Sequence, residues 1–308
     1  MYKILLCDPI SESAMQVLRD APDVSFTEAY GLSENELIKT VLTYNAIIVR
    51  SATKLTANII DKAENLKAIG RAGTGLDNID IDFAQKKGIR VFNTPGTNAP
   101  AVAEMTIAFL FALGRKIPSA NIKMKNGEWT KKEYTGIELN DKNLGIIGCG
   151  TIGKLVAKKA SALGMNILVY NRSEIRNADF KFEQVSKEKL LQQSDFVSLH
   201  LSKSSETHNI INKDDLNKMK KGAYLINTAR GGMINENDLM DALNSSQIAG
   251  AALDVFDNEP KFNKDLATHP NVIATPHIAA ATNESQERVG IQIVDQVLEY
   301  LRSKYIFL

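Results

Sequence analysis

The segment GIIGCGTIGK (145–154) sets glycines at 148, 150 and 153, with apolar LGII before them and the helical stretch TIGKLVAKKASALG after. That spacing, between a strand and a helix, suits a loop that carries the pyrophosphate of a dinucleotide. One glycine permits a tight turn, the next lets backbone approach phosphate, and the third packs helix against strand. The first turn of the helix, at Thr151 and Ile152, offers free N–H groups and the positive end of the helix dipole. Cofactor binding is therefore the expected role of Gly148, Gly150, Thr151, Ile152 and Gly153, against a purely structural turn. The next strand, NILVY (166–170), would ordinarily end near an acidic residue that receives the ribose hydroxyls. Here Asn171, Arg172 and Ser173 follow instead. Asn171 can bond a hydroxyl and Arg172 can meet a 2′-phosphate. Equally, Arg172 can be a solvated cation beside a simple replacement of the acid. NAD is expected, with NADP as the alternative.

Three later segments carry groups suited to hydride chemistry on a 2-oxo acid. Such a reaction needs a cation for the carboxylate and carbonyl, an acid for the emerging alkoxide, and a group that keeps the acid protonated and oriented. Arg230 stands in INTARGGMINENDL, after a strand and before two glycines that allow a sharp turn. Its planar fork matches a carboxylate or a keto oxygen. ALDVFDNEP holds Asp254, Asp257 and Glu259, and ATPHIAAAT holds His277. A carboxylate beside an imidazole favours the protonated ring; the residue types leave open which of the three acids plays that part. Asp254 closes its strand and can reach a nicotinamide or its ribose. Taken singly, each of these residues suits a salt bridge or a surface charge. Their meeting at the carboxyl ends of parallel strands, where ligands bind, favours a site. His200 is expected beside Leu201 in an adenine pocket, while His208 and His269 fall in polar loops.

The elements that must position these groups alternate along the chain. KILLC (3–7), AIIVR (46–50), LKAIG (66–70) and IRVFN (89–93) read as strands of a first α/β unit. A hydrophobic helix is expected over 99–117, ending at Pro118. A second unit follows, with strands KNLGIIG, NILVY, FVSLH (196–200), AYLIN (223–227), IAGAALD (248–254) and NVIAT (271–275), and then a helix over 283–301. Continuous apolar strands between helices imply parallel sheets covered on both faces. The fold class expected is α/β, with two doubly wound parallel-sheet domains.

Bulk composition narrows the partners. Lys plus Arg number 37 against 36 Asp plus Glu, a balance of +1, which offers no electrostatic reason for nucleic acid or an anionic membrane. Cys7 and Cys149 make a disulfide scaffold improbable and suit a reducing cytoplasm. No cysteine–histidine spacing suggests a metal. The start, MYKILLCDP, has too short an apolar run for a signal peptide, and MTIAFLFAL (105–113) is too short to span a bilayer.

The segments IVRSATKLT, GRAGTGLDNID, FNTPGTNAPAVAEM, LGIIGCGTIGK, INTARGGMINE, AGAALDVFDNEP and TPHIAAATNESQ together resemble the D-2-hydroxyacid dehydrogenase family, over nearly the whole chain. The RAGTG segment favours its phosphoglycerate branch, in a short form without a regulatory domain, so serine feedback is not expected. The resemblance implies a Rossmann-type domain (98–281) inserted into a flavodoxin-like substrate domain (1–97 plus 282–308), with the active site between them. It implies His277 as acid/base, Glu259 as its partner and Arg230 as the substrate anchor. Cofactor contacts are expected at Thr74, Leu201, Thr207, Thr228, Asp254 and Ala280 besides the glycine loop, Asn171 and Arg172. Substrate contacts are expected at Arg50, Ser51, Arg71, Gly73 and Thr74, where a phosphorylated substrate would meet two guanidinium groups and backbone N–H. Internal salt bridging is the other reading of Arg50 and Arg71. The implied reaction is 3-phosphoglycerate to 3-phosphohydroxypyruvate, feeding serine synthesis. Rivals are a glyoxylate or hydroxypyruvate reductase, and an NADH-sensing binding protein of corepressor type. The helix 99–117 and KNGEWTKKEYTG (125–136), with Trp129 as anchor, suggest a homodimer or larger homo-oligomer. Departures from the family pattern are Asn171 for an acid, Ser202 where proline is common, and alanines in PHIAAAT where glycine is frequent.

Overall fold

A computed structural model describes residues 1–176 and 178–303. The chain divides into two compact units, Met1–Asn98 with the chain from Ala281 onward, and Ala99–Ala280.

The first unit is built on strands β1 (Tyr2–Leu6), β2 (Val24–Glu28), β3 (Ala46–Val49), β4 (Ala68–Arg71) and β5 (Arg90–Asn93). They form one parallel sheet in the order β2-β1-β3-β4-β5. Alternation along the strands feeds two cores, as the pleat requires. Ile4, Leu6, Ala46 and Ile48 face the helices Glu12–Arg19 and Asn283–Ser303. Leu5, Cys7, Ile47 and Val49 face Glu34–Thr40, Ala57–Lys62 and Ile81–Lys86. Strand order reverses between β1 and β3, and the loops after these strands are where such a sheet receives ligands. β2 was not expected from the sequence. It is an edge strand, VSFTE, in which only Val24 and Phe26 pack on a core, so no apolar run marks it.

The second unit carries β6 (Asn143–Ile147), β7 (Asn166–Tyr170), β8 (Glu183–Gln184), β9 (Phe196–Leu199), β10 (Ala223–Asn227), β11 (Ile248–Leu253) and β12 (Val272–Ala274). All are parallel, in the order β12-β11-β10-β9-β6-β7-β8. Here the order reverses between β6 and β9. Leu144, Ile146, Ile167, Val169 and Phe196 point to one core, and Ile147, Leu168, Val197 and Leu199 to the other.

The single helix expected over 99–117 is two. Ala99–Gly114 ends before Lys116, which takes a left-handed φ of 52°, and a second helix runs Ile117–Lys125. Pro118 opens that second helix rather than stopping the first, because proline's missing N–H is no loss in a first turn. No helix among the described residues is long and apolar enough to cross a membrane.

Candidate active site

In the second unit the loops after β10, β11 and β12 bring three side chains together. His277 Nδ1 lies 2.6 Å from Glu259 Oε2, and Glu259 Oε1 accepts from the Phe256 N–H at 2.9 Å. Burial pushes the Glu259 carboxyl upward. The hydrogen bonds from His277 and Phe256, with the charges of His277 and Arg230, outweigh that and leave it below the usual carboxylate value. Arg230 is therefore close enough to be felt by Glu259. Its backbone carbonyl accepts from Asn227 Nδ2 at 2.9 Å, and Asn227 Oδ1 accepts from the Ala229 N–H at 3.0 Å. This closed turn fixes the Arg230 backbone just past the end of β10, and Arg230 Nη1 donates to the Ala229 carbonyl at 2.7 Å. Gly231 makes the close approach possible, since a Cβ there would fall 1.8 Å from the Phe256 carbonyl oxygen.

His277 has a left-handed backbone, φ 56°. That costs a residue with a Cβ about 1–2 kcal/mol, so the loop must be held. Asp254 holds it. Its Oδ1 accepts from Thr275 Oγ1 at 2.6 Å and Ile278 N at 2.8 Å, and its Oδ2 from Ala279 N at 2.8 Å. Its own carbonyl takes the His277 N–H at 2.8 Å. Asp254, expected to reach a nicotinamide or its ribose, is 0% exposed, and its carboxylate is engaged by the histidine loop. Thr228 and Thr207 are likewise turned to neighbours. Thr228 shares a hydroxyl contact with Thr106, and Thr207 closes the turn from Ser202 and Ser204. Ala280 is half-buried beside this loop.

The glycine loop has a separate reason for each glycine. Gly148, at φ 91°, lies against the loop after β9, where a Cβ would come 2.5 Å from the His200 carbonyl oxygen. At Gly153 a Cβ would meet the Gly148 oxygen at 2.2 Å. Gly150 meets no protein atom within 4 Å, and no side chain caps the helix Thr151–Ala162 that begins there. Open space over an uncapped helix N-terminus is what a dinucleotide's phosphates require, so the residues present fit such a cofactor. Asn171 Oδ1 accepts from the Cys149 N–H at 3.1 Å, and its Nδ2 donates to Ser173. Asn171 thus holds the glycine loop from the end of β7. Arg172 is paired with Glu206. His200 Nε2 meets Ser198 Oγ at 2.9 Å and its Nδ1 is enclosed, and burial pushes its pKa down to about 3. Leu201 stays half-buried against Gly148.

In the first unit the loops after β3 and β4 carry the other expected residues. Asp8, at the end of β1, is 4% exposed and accepts from the Arg50 and Thr53 N–H groups at 2.5 and 3.3 Å and from Thr53 Oγ1 at 2.9 Å. Asn78 donates to the Arg50 and Thr53 carbonyls at 2.8 and 2.6 Å. Arg50 is half-buried and Ser51 exposed on that braced loop. Arg71 folds over Gly73, where φ is 145° and a Cβ would fall 1.5 Å from Arg71 Nη1. Thr74 Oγ1 donates to Asn98 Oδ1 at 3.0 Å, and Asn93 Nδ2 to the Thr74 carbonyl at 2.6 Å.

A family model described as D-isomer specific 2-hydroxyacid dehydrogenase, NAD binding domain, matches residues 107–279. The chain belongs to this family. These dehydrogenases include a hydroxypyruvate reductase of Thermotoga maritima, 43% identical over 97% of this chain and 98% of that protein. A D-3-phosphoglycerate dehydrogenase of Methanocaldococcus jannaschii is 42% identical over 99% of this chain, but the match spans only 58% of that relative's length. Among solved structures, the TT0316 protein of Thermus thermophilus superposes with a TM-score of 0.91 at 33% identity, covering 98% of this chain and 97% of that one. The chain is thus a D-2-hydroxyacid dehydrogenase with a dinucleotide-binding domain. Sequence reasoning missed Asp8, Asn78 and Asn227 as supports of this dehydrogenase's site. Asp8 and Asn227 are buried polar residues at or just past strand ends and Asn78 is half-buried beyond β4, and only their hydrogen bonds reveal the task, with the DP after KILLC the one visible hint for Asp8.

Proposed function

We propose that this dehydrogenase interconverts 3-phosphoglycerate and 3-phosphohydroxypyruvate, with His277 as general acid/base, at the entry to serine biosynthesis. The observation that carries the chemistry is the His277–Glu259 pair at 2.6 Å with the Arg230 charge beside it. A nicotinamide cofactor supplies or accepts the hydride. Glu259 holds His277 Nδ1, which leaves Nε2 to give a proton to the substrate oxygen in reduction and remove it in oxidation. Arg230 binds the substrate carboxylate and polarises the carbonyl. The glycine loop with Thr151 and Ile152 binds the pyrophosphate, and Asn171 the ribose. Arg50, on the loop after β3, and Arg71, closing the neighbouring β4, support a substrate with a phosphate. Ser51 and the backbone of Gly73 and Thr74 supply further donors.

A second reading, hydroxypyruvate or glyoxylate reduction, is favoured by the end-to-end match to the Thermotoga hydroxypyruvate reductase. Hydroxypyruvate and its 3-phosphate differ only in the phosphate. Reduced-nicotinamide absorbance is followed with each, in parent and Arg71→Ala. The phosphorylated reading expects kcat/KM for the phosphorylated acid to be higher and to fall at least tenfold in the variant, with little change for the other. Equal losses for both acids would overturn it. His277→Ala is expected to lower kcat by about 10²–10⁴, and an unchanged kcat would remove the acid/base assignment.

A homodimer is proposed as well. It is supported by apolar side chains left in water on and beyond the helix Ile117–Lys125: Ile117 51%, Ile122 58%, Met124 54% and Trp129 79% exposed. Sedimentation of Trp129→Glu is expected to show a smaller species than the parent.

A further inference from the structure

The strand order β9-β6-β7 puts the loops after β9 and β7 on either side of the glycine loop, which follows β6. Both touch it. The His200 carbonyl and Leu201 press on Gly148, and Asn171 takes the Cys149 N–H. One residue past Asn171 stands Arg172, and on the loop past Leu201 stands Glu206; the two side chains form an ion pair. This pair joins the two flanking loops at the edge where a ribose would lie over an open glycine loop. A carboxylate from the neighbouring loop thus stands beside Arg172, where β7 itself ends in no acid.

We propose that Glu206 sets the nucleotide preference of this chain, by occupying Arg172 and excluding a 2′-phosphate, so that NAD is favoured over NADP. The inference rests on the reading of the glycine loop as a dinucleotide site. An arginine one residue past the ribose position would by itself invite a 2′-phosphate. Here that phosphate must displace Glu206 from Arg172 and then sit near its negative charge. Both side chains are solvent-exposed, at 83% and 68%. The pair itself is therefore weak, and water and salt screen it. Repulsion between a carboxylate and a phosphate dianion at such a site is worth about a factor of ten in affinity. Asn171 adds no charge of its own, and its amide is engaged with Cys149 and Ser173.

The test is titration calorimetry of NAD⁺ and NADP⁺ on the full chain, which reads binding without turnover. The parent is expected to bind NAD⁺ about tenfold or more tightly than NADP⁺. Glu206→Gln is expected to tighten NADP⁺ about tenfold while NAD⁺ moves less than threefold. Adding Arg172→Ala is expected to erase that gain, because the freed guanidinium is what meets the phosphate. A parent that prefers NADP⁺, or a Glu206→Gln variant with an unchanged NADP⁺/NAD⁺ ratio, would overturn the inference and leave the dinucleotide site standing. Binding of neither nucleotide to the parent would overturn both.

Discussion

Replacing Asp254 with alanine removes a carboxylate at 0% exposure that accepts from Thr275 Oγ1, Ile278 N and Ala279 N at 2.6–2.8 Å. Hydrogen bonds to a charged group are worth about 1.5–3 kcal/mol each, and a stranded buried donor costs about 1–3 kcal/mol. These are two views of one loss. The threonine hydroxyl can rotate to another partner, but the two N–H groups cannot. The expected destabilisation is about 3–5 kcal/mol. The functional effect follows from His277, whose left-handed φ of 56° is maintained by these bonds. With them gone the backbone relaxes toward negative φ and carries the imidazole away from Glu259. A displacement of about 1 Å costs on the order of 10² in rate. Asp254→Asn keeps one acceptor oxygen and sets an amide N–H against a backbone N–H, so about half the destabilisation is expected. Urea unfolding followed by circular dichroism, with steady-state kcat on the same preparations, measures both effects. If alanine prevents folding, the asparagine variant carries the test. Stability within about 0.5 kcal/mol of the parent together with a kcat within twofold, in either variant that folds, would refute the view that Asp254 holds the histidine loop.

Three further outcomes are expected. Gly150→Ala meets open space and should leave the unfolding midpoint unchanged while weakening dinucleotide binding at least tenfold, whereas Gly153→Ala meets the Gly148 oxygen at 2.2 Å and should lower the midpoint; calorimetry and thermal melts on both variants read the contrast. Glu259, held below the usual carboxylate value, contributes stability that is full above about pH 4.5 and is lost as pH falls through its folded value; Glu259→Gln should flatten the stability curve below that pH in acid titrations. His200 acts in the same direction at higher pH: its folded value is pushed down to about 3, so the unfolded chain takes up the proton first. Stability is then lost as pH falls below about 6.5, by up to about 2 kcal/mol at pH 5. The partial exposure of the residue makes that an upper bound, and His200→Gln should remove the slope.

Much of this molecule is legible in its sequence, because the signals are local. The glycine spacing at 148, 150 and 153 depends on backbone constraints within one strand–turn–helix, and alternating apolar strands and helices dictate parallel layers wherever the chain goes. Arg230 and His277 could be singled out because each follows a strand, and parallel strands deliver their ends to one edge, whereas Glu259 as the partner of His277 came from the family resemblance. What the residue types left open was direction. Asp254, Asp257 and Glu259 lie within six positions, yet only the packed loops turn Glu259 to His277 and bury Asp254 beneath it. Pro118 reads from the sequence as a stop, and the left-handed Lys116 makes it a start. The edge strand β2 lacks the run that two-sided burial imposes. Asp8 reaches Arg50 across 42 positions, and Arg172 reaches Glu206 across 34. Such pairs are determined by strand order, which is a property of the assembled sheet, and a side chain's partner across that sheet is set only once the sheet exists.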